Sequence, residues 1–183
     1  MYSPERERSL MKRSPSAPTK TDPQIPISIQ PNIGLDEEIR GTVVDQLNVL
    51  LADEVVLNMK TRSIYWQLNG HLSLKFISIF DQQIHQLNCA MDEIAERINI
   101  LGGVCLFSFE EILNATHFKE KSTIPASISL LTDDHETLIR LLRDDIQAFG
   151  GIYDDQGTFL MLISILRVHE KIASVLRSFV EPD

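Results

Sequence analysis

The sequence predicts an all-α fold: a four-helix bundle with a short helix in its middle connection. Three observations carry this expectation. Four long stretches repeat apolar side chains three and four residues apart, the spacing that lines one face of a helix. Glycine pairs, proline or capping residues punctuate their ends. Proline, which interrupts helices, is concentrated elsewhere: Pro4, Pro15, Pro18, Pro23, Pro26 and Pro31 all fall in residues 1–34.

Taken in order, the first helix is expected over residues 36–68. Asp36 can cap it, Glu37 and Glu38 suit its positive end, and Val43, Val44, Leu47, Leu50, Leu51 and Val55 recur at helical spacing. Asn69-Gly70 closes it. The second runs over residues 74–101, with Ile84, Leu87, Met91, Ile94, Ile98 and Leu101 on one face. Gly102-Gly103 supplies the left-handed stop. Residues 108–115 suit the short helix in the connection. The third long helix is expected to start near Thr123-Ile124-Pro125, a capping residue followed by proline in the first turn. It passes through Ile128, Leu131, Leu138, Leu141 and Leu142 to Phe149, where Gly150-Gly151 ends it. Asp154 or Asp155 caps the fourth, which continues through Leu162, Leu166, Ile172 and Leu176 to Phe179. There is no internal repeat.

Composition narrows the function classes. A chain of 183 residues with 43% hydrophobic content can bury one sizeable core. No apolar run approaches the roughly 20 residues needed to cross a bilayer, so no membrane association is expected. The N-terminal segment has charges and prolines but no apolar stretch of a secretory leader. Cys89 and Cys105 form no CxxC pattern and are expected to be small buried apolar residues in a reducing cytoplasm. Residues 1–34 are expected to be a mobile tail rich in proline and serine, and residues 35–183 the folded domain. The tail carries Arg6, Arg8, Lys12, Arg13 and Lys20 against Glu5, Glu7 and Asp22, a balance of +2. The whole chain is −9, so the remainder carries −11. A body that acidic attracts cations and repels nucleic acid, leaving any DNA contact mainly to the tail.

The second helix carries the clearest chemistry. At about 100° per residue, Asp81, His85, Asp92 and Glu96 fall within about 60° of one another, on the side away from the apolar residues. Ordinary solvated groups make such a stripe, but Asp92 and Glu96 repel one another across one turn unless a cation offsets them. Asn88, Cys89 and Asn99 share that side, a mixture less charged than a typical exposed face. A subunit contact with a shared metal would explain both features.

These residues resemble the Dps family, the small ferritin relatives that protect DNA in bacteria. The resemblance covers residues 36–181. It rests on Leu47 through Lys60-Thr61-Arg62, Trp66 with Gly70, Phe80-Asp81, Asp92-Glu93-Ile94-Ala95-Glu96-Arg97 and Leu101-Gly102-Gly103. Asp134-His135-Glu136, His169-Glu170-Lys171 and Leu176-Arg177-Ser178 add to it. It implies a ferritin-like bundle, twelve copies of which form a hollow homo-oligomeric shell, cytoplasmic and in some cases nucleoid-associated. It also implies a ferroxidase-type oxidoreductase site between two subunits, where iron is oxidised and then stored, limiting oxidative stress. Asp81 matches the aspartate supplied by one subunit, and Asp92 and Glu96 match the carboxylates of its neighbour. The resemblance puts histidines at two positions where this chain has Tyr65 and Ile77. Tyr65 retains a phenolic oxygen for iron, Ile77 retains no donor, and His85 is the nearest substitute imidazole. His135 and His169 read as structural, and His71 and His117 carry no pattern. Asp154, Asp155 and Thr158 resemble the first half of an acidic iron-entry pore, in which Leu160 replaces an expected aspartate.

The five basic tail residues suit a DNA contact that twelve copies would strengthen through avidity, and they equally suit a solubilising or assembly tail. Two functions therefore follow from the resemblance. One is an iron-oxidising shell of reduced activity. The other is a non-catalytic shell acting as a DNA-binding or scaffold protein.

Overall fold

The computed structural model describes residues 31–68, 74–118 and 127–180, and five helices occupy most of them. The first, α1 (Glu37–Leu68), is 32 residues long and buries apolar side chains on nearly every side, among them Val43, Leu47, Ala52 and Leu57. It can do so because it packs against α2 (Leu74–Ile100), α3 (Phe109–Ala115) and α4 (Ile128–Gly151). The ring of four long helices closes through α5 (Gln156–Arg177), which packs on α4 and on α2. The all-α expectation, short middle helix included, agrees with this architecture.

Local chemistry sets the helix ends. The C-terminus of α2 is a Schellman turn: Gly103 N–H bonds the Ile98 carbonyl at 2.9 Å and Gly102 N–H bonds that of Asn99 at 3.0 Å. Gly102 has φ +81°, a conformation that strains any residue with a Cβ. Gly103 has a different reason to be glycine, since a Cβ there would lie 2.5 Å from Val44 Cγ1. A capping box starts α3: Ser108 Oγ accepts from Glu111 N–H at 3.2 Å, and the Glu111 carboxylate accepts from Ser108 N–H at 3.1 Å. The same carboxylate accepts from Phe107 N–H at 3.2 Å and from Ser108 Oγ at 3.0 Å, and these bonds, the Phe107 one foremost, hold the Glu111 carboxyl below its ordinary range.

Three expectations need revision. The Thr123 start lies outside the described residues; among those described, α4 begins at Ile128 and Ser127 is its cap, accepting from Leu130 N–H at 3.2 Å. That helix also runs through Gly150 and Gly151, because neither glycine takes a positive φ. Finally, Cys89 is exposed and Cys105 only half-buried, so neither is a core residue. Partial burial nevertheless pushes the Cys105 thiol up.

Candidate metal-binding face

The inward side of α2 carries Phe80, Ile84, Leu87, Ala90, Ile94 and Ile98, all buried. The helical period therefore turns Asp81, His85, Cys89, Asp92 and Glu96 outward, and all five are exposed. None of the ion pairs among the described residues includes Asp81, Asp92 or Glu96. The repulsion between Asp92 and Glu96, a few tenths of a kcal/mol, is thus not offset by an ion pair from any described residue. His85 Nε2 lies 3.8 Å from Cys89 Sγ, one helical turn away. Beside them, half-buried Asn88 accepts from Asn58 Nδ2 at 3.0 Å, fixing α2 against α1. Among the described residues, no group of three or more His, Cys, Asp or Glu in one chain is placed to hold a metal.

Tyr65, on α1, is half-buried and packs against the hydrophobic core, and Ile77, on α2, is half-buried. The tail residues Arg6, Arg8, Lys12, Arg13 and Lys20 lie outside the described residues, as does His71.

Polar groups inside the bundle were harder to foresee. Glu54, His135 and His169 are each 0% exposed and form one hydrogen-bonded chain across α1, α4 and α5. His169 Nε2 is 2.7 Å from Glu54 Oε1, and the two Nδ1 atoms of His135 and His169 are 2.9 Å apart. One tautomer set satisfies both contacts with His135 donating through Nδ1 to His169 and His169 donating through Nε2 to Glu54. Nε2 of His135 has no partner among the described residues. Burial and the nearby His169 accordingly push His135 well below its ordinary range. The signal available in the sequence was Asp53-Glu54 set within a helix apolar on almost every side.

Asp53 has its own task. Buried at 1% exposure, its carboxylate accepts from Thr116 Oγ1 at 2.7 Å, His117 N–H at 2.7 Å and His117 Nδ1 at 2.8 Å. It thereby fastens the segment after α3, which gives the loop residue His117 a structural role that no sequence pattern showed. A similar clamp joins α2 to α5. Asp155 caps α5 through Thr158 N–H at 3.0 Å and accepts from Arg97 Nη2 at 2.6 Å. Burial would raise the Asp155 carboxyl, but the bonds from Arg97 and Thr158 outweigh it and hold it low. Asp155 and Thr158 are both buried, so they cap and clamp instead of offering an acidic surface; Leu160, one turn from the cap, is exposed.

An all-α bundle of four long helices with a short helix in its middle connection is the architecture of the ferritin-like class. The ferritin-like domain model matches residues 44–182. The chain belongs to the ferritin-like family. An uncharacterized low temperature-induced protein of Nostoc sp. (strain PCC 7120) is 37% identical over 154 residues, 82% of this chain and 86% of that protein. DNA protection during starvation protein 2 of Bacillus anthracis is 27% identical across 75% of this chain and 95% of its own length. Among solved structures, the DPS protein of Vibrio cholerae O1 superposes with a TM-score of 0.72 at 26% identity. It covers 84% of this chain and 99% of its own, and is described as belonging to a broad superfamily of ferritin-like diiron-carboxylate proteins.

Proposed function

We propose that this protein is a Dps-like shell subunit that binds Fe(II) between two copies and oxidises it, protecting the cell against iron-driven damage. Asp81 of one copy and Asp92 with Glu96 of its neighbour form the site, and the assembly is a dodecamer. The observation that carries the reading is three exposed carboxylates on one face of α2, unneutralised by any described residue and too few in one chain to chelate. The relatives named for DNA protection and the diiron-carboxylate description of the Vibrio protein support it. Exposed Phe107, Phe109 and Leu113 in and before α3 support an associating molecule, because large apolar side chains left in water favour burial against a partner.

Iron is the substrate here. Carboxylate oxygens suit hard cations, and anionic donors favour Fe(III) over Fe(II). The three carboxylates would therefore promote transfer of an electron from each bound Fe(II) to dioxygen or peroxide. Tyr65 can add a phenolate to Fe(III). With Tyr65 and Ile77 at the positions where the family resemblance places histidines, oxidation is slower than at a site with both imidazoles. Purified protein should oxidise added Fe(II) faster than buffer, read as the rise of ferric absorption, and Asp92→Ala with Glu96→Ala should lower the rate toward the buffer value. Equal rates in wild type, double variant and buffer would exclude the activity.

Ile77 favours a second reading, because an apolar side chain cannot replace a metal ligand. In that reading the shell is non-catalytic and serves as a scaffold or binds DNA through Arg6, Arg8, Lys12, Arg13 and Lys20.

A further inference from the structure

Between Asp81 and the Asp92–Glu96 pair, halfway along the outer face of α2, stand His85 and Cys89. Both are exposed, with His85 Nε2 and Cys89 Sγ 3.8 Å apart. An imidazole and a thiol one helical turn apart form a bidentate half-site for a borderline divalent ion. The soft thiol does not suit the hard, oxygen-preferring iron of the carboxylate site.

We propose that His85 and Cys89 of two copies converge on the two-fold axis of the subunit contact and bind one zinc-type divalent ion in a His2Cys2 tetrahedron. The inference rests on the pairing put forward above, in which Asp81 faces the Asp92–Glu96 pair of a second copy. Two antiparallel α2 helices paired that way have their symmetry centre midway between those positions, within the turn Gln86–Cys89. His85 and Cys89 straddle that centre, so His85 of one copy lies across from Cys89 of the other. On this face the described residues of one chain offer one N and one S donor, in keeping with the lack of any group of three or more donors among them. The symmetric contact doubles the set to the four donors of a closed zinc site. Binding displaces the thiol proton from each cysteine, and no electron is transferred. The ion would hold the contact together from its centre, between the two carboxylate sites that flank it.

Co2+ added to the full-length protein tests this, because cobalt takes zinc's place and reports thiolate ligation by a charge-transfer absorption in the near ultraviolet. The expected result is an absorption that saturates at one ion for each pair of chains and that excess Zn2+ removes. Cys89→Ser and His85→Ala should each abolish it, whereas Cys105→Ser should keep it. No absorption, an absorption that survives Cys89→Ser, or saturation at one ion per chain would each overturn the shared site. Iron oxidation is read separately. A protein with the cobalt signal but no Fe(II) oxidation contradicts only the ferroxidase step. One that oxidises iron through Asp92 and Glu96 without the signal contradicts only this inference.

Discussion

His135 stands where burial and charge compete most directly. Its ring is wholly enclosed, and its contact to His169 gives no counter-charge, so the neutral form is favoured and its pKa is lowered. The unfolded chain binds the corresponding proton near pH 6.5, while folded His135 takes it up only at much lower pH. Between those values the unfolded state holds more protons, and stability from this residue rises with pH. It is complete above about pH 6.5 and declines as pH falls below that value. The urea midpoint of the wild type should therefore drop on going from about pH 7.5 to about pH 5, and the drop should be shallower in His135→Gln. An identical pH slope in the two proteins would mean that His135 does not control this window. Asp155 follows the same logic at lower pH: its carboxyl is held low, so its contribution survives until the pH falls through that depressed value.

For the elements, packing against neighbours decided what composition left open. The turn after α2 illustrates both sides. Gly102-Gly103 was legible as a stop because a left-handed cap calls for glycine, and Gly102 at φ +81° meets that need. The second glycine was legible only as part of a pair; its reason is the side chain of Val44 on another helix. Gly103→Ala should force Val44 aside and cost about 1–3 kcal/mol, measured as a lower urea midpoint at unchanged slope. An unchanged midpoint would show that the turn yields without strain. The amphipathic faces of α2, α4 and α5 could be read from their period, and so could the outward stripe on α2. Glu54 with its two histidines and Asp53 with His117 were not readable. Each joins residues more than thirty positions apart, and spacing within one helix carries no information about which other helix supplies the partner. Cys89 was misjudged as buried because cysteine usually behaves as a small apolar residue; its place on the stripe puts it in water.

For the whole molecule, the family and the bundle define a scaffold, and the function proposed for it belongs to the contact between copies. In the proposed contact each copy would bring a half-site of His85 and Cys89, and Asp81 of one copy would meet Asp92 and Glu96 of the other. The charge of the chain fits this division. Apart from its first 34 residues the protein carries −11, a field that draws cations toward any acidic face. The most direct test is an anomalous-scattering map recorded at the iron edge from crystals soaked anaerobically in Fe(II). An iron peak bounded by Asp81 of one molecule and by Asp92 and Glu96 of its symmetry mate is the predicted result. If those three side chains instead face bulk solvent, or meet across a contact without iron density, the inter-subunit site does not exist.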